Sequence, residues 1–166
     1  TDAVAMEIVG VRIELPTNTP ILLLREREGS RFLPIWIGTP EATAIALAME
    51  GIEPKRPMTH DLLKIVTENL GASVERVMIT ELRDGTYYAD LILGSGGDEV
   101  TISTRPSDAI ALATRTGTDV FAERALLDEA GVEIRDADAE AVIERFREFL
   151  EDITPEDFDS GHPTDS

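Results

Sequence analysis

The sequence predicts an α+β fold, a mainly antiparallel sheet packed with alanine-rich helices, and three observations predict it. Strand-like segments come in runs separated by turn signals, with no regular alternation of strand and helix. The pentapeptide Ala-Ile-Ala-Leu-Ala occurs twice, at 44–48 and 109–113, each time shortly after a proline and an acidic residue. At 166 residues the chain is long enough for one core. Closure of the sheet into a barrel is left open by the pattern.

The segment from Ala3 to Leu15 alternates Val9, Val11 and Ile13 with Ile8, Gly10 and Arg12, which predicts a strand with one covered face. Pro16 to Pro20 breaks it. Ile21 to Leu24 and Arg31 to Ile37 form a hairpin whose tip, Arg25-Glu26-Arg27-Glu28, is wet and charged. Gly38-Thr39-Pro40 ends the strand, with Thr39 as N-cap and proline at the first helical position. The helix that follows runs to about Glu50. From Ala42 to Met49 only Thr43 is polar, and a helix without a wet face must be buried on several sides.

A proline-rich connector, 53–57, leads to Thr59 as a second N-cap. Leu62, Leu63, Val66 and Leu70 then recur at helical spacing, which predicts an amphipathic helix closed by Gly71. Val74 to Leu82 and Tyr87 to Leu93 flank Asp84-Gly85, a two-residue hairpin turn of the kind that tolerates positive φ. A looser turn, 94–98, leads to Val100 to Ser103, completing a three-stranded meander. The second alanine-rich helix runs from Pro106 to Thr116, and Gly117 closes it. Val120-Phe121 reads as a short strand, 122–130 as a short helix and Gly131-Val132 as a turn. The expected organisation is a domain over residues 1–135, an acidic amphipathic helix over 136–154 with Val142, Ile143, Phe146, Phe149, Leu150 and Ile153 in its stripe, and a disordered acidic tail over 155–166.

Composition narrows the chemistry. With no cysteine, disulfides, thiolate zinc sites and thiol nucleophiles are excluded, so any metal would be held by carboxylates, carbonyls or histidine, which favours hard cations. No apolar run approaches the ~20 residues that cross a bilayer, and the first residues lack the layout of a signal peptide, so the expected location is cytoplasmic with no membrane partner. Net charge is −18, and residues 119–166 hold 16 acids against 4 bases. Only Lys55 and Lys64 are lysines; the other 13 bases are arginine. Many acids with few lysines fit carboxylates kept hydrated in concentrated salt, a halophilic hypothesis. A GC-rich genome is the alternative, and a melting temperature indifferent to molar KCl would favour it.

Four groups of residues are candidates for chemistry. His60-Asp61 pairs imidazole and carboxylate at a helix start, able to bind a divalent ion or shuttle a proton, or simply to stabilise the positive end of the helix. Glu41 and Asp108 precede the two alanine-rich helices, and if they converge with Asp61 the three carboxylates suit Mg²⁺ or Mn²⁺ shared with a phosphate. Asp90 lies mid-strand, where a charge needs exposure or a partner such as Arg76, Arg83 or Arg105. Arg25, Arg27, Arg31, Lys55, Arg56, Arg105 and Arg115 are candidates to line a phosphate-binding groove, with ion-pair ladders as the alternative. No glycine-rich phosphate loop, nucleophilic serine motif or zinc motif is present.

The blocks at 33–38 (Leu-Pro-Ile-Trp-Ile-Gly), Glu41-Ala42, 44–47, 56–63 (Arg-Pro-Met-Thr-His-Asp-Leu-Leu), 87–91 (Tyr-Tyr-Ala-Asp-Leu) and 105–113 (Arg-Pro-Ser-Asp-Ala-Ile-Ala-Leu-Ala) resemble, in order, the bifunctional nuclease domain family over about residues 4–134. The resemblance implies a compact, usually self-associating α+β domain with nuclease activity toward DNA and RNA. By matching motif positions, its site residues are Glu41, His60, Asp61, Asp90, Arg105 and Asp108. Some relatives carry an added repair-nuclease-type helical motif, which the acidic segment after Ala137 does not match.

Two functions are therefore expected. One is a nuclease using Mg²⁺ or Mn²⁺ on DNA or RNA, with Glu41, Asp61, Asp90 and Asp108 as metal ligands, His60 as ligand or proton shuttle, and Arg105 steadying the phosphate. The other is a non-catalytic homo-oligomer that binds nucleic acid or a protein partner in transcription or repair.

Overall fold

A computed structural model describes residues 2–133; the predicted acidic helix and tail lie outside the described residues. The elements in chain order are β1 (Ala3–Glu14), β2 (Thr19–Glu26), β3 (Arg31–Trp36), α1 (Thr39–Met49), α2 (Thr59–Asn69), β4 (Ala72–Arg83), β5 (Thr86–Ser95), β6 (Asp98–Thr104), α3 (Pro106–Thr116), β7 (Val120–Glu123), α4 (Arg124–Ala130) and β8 (Val132–Glu133). The class is α+β. All eight strands join one sheet in the order β6-β5-β4-β7-β1-β2-β3-β8, and every pairing is antiparallel except β4 with β7. The sheet is open, so barrel closure does not occur among the described residues. None of the described helices is long and apolar enough to cross a membrane.

The repeated pentapeptide has a counterpart in topology. Strands β1 to β3 form a meander that leads into α1, β4 to β6 form a second that leads into α3, and β7 joins the two meanders at the centre of the sheet. Helices α1 and α3 pack against one another. In α1 every residue from Ala42 to Leu47 is buried, and six consecutive buried residues sweep the whole circumference of a helix. Alanine allows that enclosure because neighbouring backbones approach closely. Between Pro106 and Ala113 in α3, Asp108 alone is not fully buried.

Turn chemistry follows the residues. Asp84 and Gly85 adopt φ of 51° and 77°, the left-handed pair that a two-residue hairpin needs. The turn at 94–98 is tighter than expected: β5 runs to Ser95, and Gly96 and Gly97 at φ 58° and 88° close a second two-residue turn. Thr39 and Thr59 are not the N-caps. Gly38 and Met58 are, and the threonines are first helical residues. At the start of α2 a carboxylate answers the N-cap amide, because Asp61 Oδ2 accepts from Met58 N–H at 2.9 Å. Val132 is not a turn residue but starts β8, paired to Phe32.

Helix α2 is oriented opposite to the usual amphipathic helix. His60 is buried, and Asp61, Lys64 and Thr67 are half-buried, whereas Leu62, Leu63, Val66 and Leu70 are exposed, Leu70 by 78%. A surface helix normally turns its apolar stripe to the core. Here the polar side meets α3, with His60 and Asp61 bonded to side chains of that helix.

Candidate functional site

Glu41, Asp61 and Asp108 occupy equivalent places. Each is the third residue after the N-cap of its helix, where a carboxylate faces the unpaired amides and the positive end of the dipole. The backbone at Gly38 is part of this arrangement, since a Cβ there would lie 2.5 Å from Glu41 Oε2.

Two arginines and one histidine tie the three helix starts together. Arg105 Nε donates to Asp108 Oδ2 at 2.9 Å, and its Nη2 donates to Glu41 Oε1 at 2.9 Å. His60 Nε2 lies 2.9 Å from Asp108 Oδ1, so both oxygens of Asp108 are engaged, one by a buried ring and one by a guanidinium that is 65% exposed. Hydrogen bonds to Asp108 and then Glu41 raise the Arg105 pKa, which keeps the guanidinium fully cationic. Arg115 makes the third link. Its Nε donates to Asp61 Oδ1 at 2.7 Å, Nη1 to Ala111 O at 2.8 Å and Nη2 to Ala44 O at 3.1 Å, so one guanidinium reaches α2, α3 and α1.

Five of the six predicted site residues, Glu41, His60, Asp61, Arg105 and Asp108, thus gather at the junction of three helices. Asp90 does not. Strand alternation places it opposite Ala89, on the sheet face away from the one where Val77, Ile79 and Ala89 are buried, and it stands across from Met78 and Ser103. None of its expected arginine partners reaches it: Arg76 bonds Glu99, Arg83 bonds Glu81 and stacks over Tyr88, and Arg105 is engaged as above. The signal was in the sequence, since Ala89 and Leu91 on either side already mark which face of β5 is covered.

The expected basic groove is also smaller than its membership. Arg25 pairs with Glu7, Arg27 with Asp119 and Arg31 with Glu26 and Asp128, the ladder alternative. Arg115 links three helices where a groove-lining phosphate contact was expected. A charge in the last turn of a helix otherwise buried on most sides needs interior acceptors, and that was the available sign.

Among the described residues no group of three or more His, Asp or Glu is arranged to hold a metal ion. The physical cause is visible in the donors: the space between Glu41 and Asp108 is taken by Arg105, and Asp61 is taken by Arg115. As arranged, these residues do not fit Mg²⁺ or Mn²⁺, and the chemistry proposed for the site is carried by the side chains alone.

Comparison with known proteins adds family relations. The family model described as the bifunctional nuclease domain matches residues 22–135. An uncharacterised protein of Mycobacterium tuberculosis is 47% identical over 161 residues, spanning 92% of this chain and 96% of that protein. Bifunctional nuclease 1 of Oryza sativa subsp. japonica is 29% identical over 117 residues, 68% of this chain and 35% of the rice protein. Bifunctional nuclease 2 of Arabidopsis thaliana is 28% identical over 129 residues, 74% of this chain and 39% of the plant protein.

Proposed function

The chain belongs to the bifunctional nuclease domain family, and from that premise we propose that it hydrolyses phosphodiester bonds of DNA or RNA at the junction of α1, α2 and α3. The observation that carries the reading is Asp108, held between a buried histidine and an exposed arginine where three helix N-termini meet. Helix N-termini attract phosphate, and Arg105 offers a planar fork of donors to its oxygens. In a chain of net charge −18 the exposed Arg105 guanidinium is the group at this junction that an incoming phosphate would meet.

In the proposed step the phosphate docks on Arg105 and a water lies beside Asp108. The Asp108 carboxylate takes the proton as the water oxygen bonds to phosphorus, the bond to the leaving oxygen breaks, and solvent protonates that oxygen. His60 orients Asp108 through Oδ1. Purified Asp108→Asn should lower cleavage of labelled oligonucleotides by about 10²–10⁴-fold, the range for loss of a general base. Undiminished turnover in that variant would remove this mechanism.

The non-catalytic reading is favoured by one feature, the outward apolar stripe of α2. It carries no carboxylate, so it is where a second, equally acidic copy can approach without repulsion. Self-association through α2 is compatible with either function.

A further inference from the structure

Both lysines of the chain line one cleft. It has a volume of about 510 Å³ and lies between the end of α1, the connector that follows it, the inner side of α2 and the last turn of α3. Arg115 closes its inner end, already bonded to Asp61 and two carbonyls, and so supplies fixed positive charge. Ile52, Pro54 and Ile65 give it apolar walls, while Glu53 and Glu68 offer acceptors. The size is that of small-ligand sites, and the lining is strongly polar, with Glu53, Asp61 and Glu68 beside Lys55, Lys64 and Arg115.

We propose that this cleft binds a single nucleoside monophosphate unit, its phosphate on Lys55 and Lys64 and its base against the apolar walls. Lysine is a compact point charge suited to phosphate, and a chain that elsewhere uses arginine has both of its lysines here. The apolar surfaces of Pro54 and Ile65 can cover a base, and the two glutamates suit the hydroxyl and amine donors of a nucleoside. A bare phosphate would use none of those walls. The setting rests on the nuclease reading, because Asp61 lines the cleft while its neighbour His60 contacts Asp108; the cleft would seat the nucleotide next to the bond being cut.

The test titrates the 166-residue chain with cytidine monophosphate and follows the backbone amides by NMR, with cytidine and inorganic phosphate as controls. The monophosphate should move the amides of Ile52, Lys55, Lys64, Ile65 and Thr114 and saturate in the millimolar range or below, and each control should bind roughly tenfold more weakly. A Lys55→Ala/Lys64→Ala double variant that melts like the parent should lose roughly tenfold in affinity or more. Absence of shifts at these amides, equal affinity in the double variant, or inorganic phosphate binding as tightly as the nucleotide would each overturn the proposal. Cleavage without binding in the cleft would reject this site and leave the nuclease reading standing, whereas binding in a protein that cuts nothing would keep the site and reject the catalysis.

Discussion

Replacing Arg115 by alanine, and separately Arg105 by alanine, should have opposite consequences. The Arg115 side chain is 9% exposed and satisfies acceptors on three helices. Its removal leaves Asp61 Oδ1 without its partner and takes a second, interhelical bond from the carbonyl of Ala44, 54 and 71 residues away in sequence. Breaking a buried ion pair by deleting one partner costs about 3–5 kcal/mol. Asp61 keeps a quarter of its surface in water and its bond from Met58 N–H, so we expect about 2–3 kcal/mol here. Arg105 is 65% exposed, and its ion pairs are worth less than about 1 kcal/mol to folding. If it holds the phosphate, its loss should lower cleavage about a hundredfold, as for other preorganised charge-stabilising donors. Urea unfolding followed by circular dichroism, with unchanged m-value, measures the first quantity; turnover on labelled oligonucleotides measures the second. Arg115→Lys should not restore stability, because one ammonium cannot span three acceptors set around a planar fork. The reasoning fails if Arg105→Ala destabilises the fold as much as Arg115→Ala does, or if Arg115→Ala costs under about 1 kcal/mol.

Because Arg105 occupies the space between Glu41 and Asp108, the parent should bind Mn²⁺ weakly and Arg105→Ala should bind it more tightly; paramagnetic resonance of free Mn²⁺ reads this, and equal or weaker binding in the variant would show that Arg105 is not what keeps a cation out of that pair. Leu62→Glu with Val66→Glu should leave folding nearly unchanged, since both side chains are exposed, and should shift the light-scattering mass from oligomer to monomer; a mass that does not respond counts against association through α2. Burial raises the Tyr87 pKa above its ordinary 10.0, with Glu129 adding to the shift. A group whose folded pKa is raised contributes stability below the unfolded pKa that is lost as pH climbs through the folded one, so unfolding free energy should fall above pH 10.0 and Tyr87→Phe should flatten that decline. An alkaline limb identical in the two proteins would contradict the assignment.

Much of the fold was legible because its signals are local. A run of apolar residues with no polar interruption dictates a helix wetted on no side, and α1 is enclosed all round. Asp84-Gly85 dictates left-handed backbone, and both residues adopt it. Acids at helix starts answer dipoles within their own turn, so Glu41, Asp61 and Asp108 could be placed without knowing any neighbour. Strand parity set Asp90 apart from them for the same reason: it needs only the residues on either side.

What periodicity could not supply is which surfaces meet. The pattern of α2 states that the helix has an apolar face and a polar one, and says nothing of which will find partners within the chain; His60 and Asp61 found Asp108 and Arg115, and the leucines were left outside. Residue spacing likewise named the acids while leaving open whether a cation of the solvent or of the protein would sit among them. The crossing of α1 and α3, produced by two meanders folding onto one sheet, brought Arg105 and Arg115 into that place. Sequence thus determined the elements and the charges at their ends, because those depend on contacts within a few residues. The junction, its arginine links and the lysine-lined cleft were decided by tertiary structure, because each depends on elements that meet only once the whole sheet has formed.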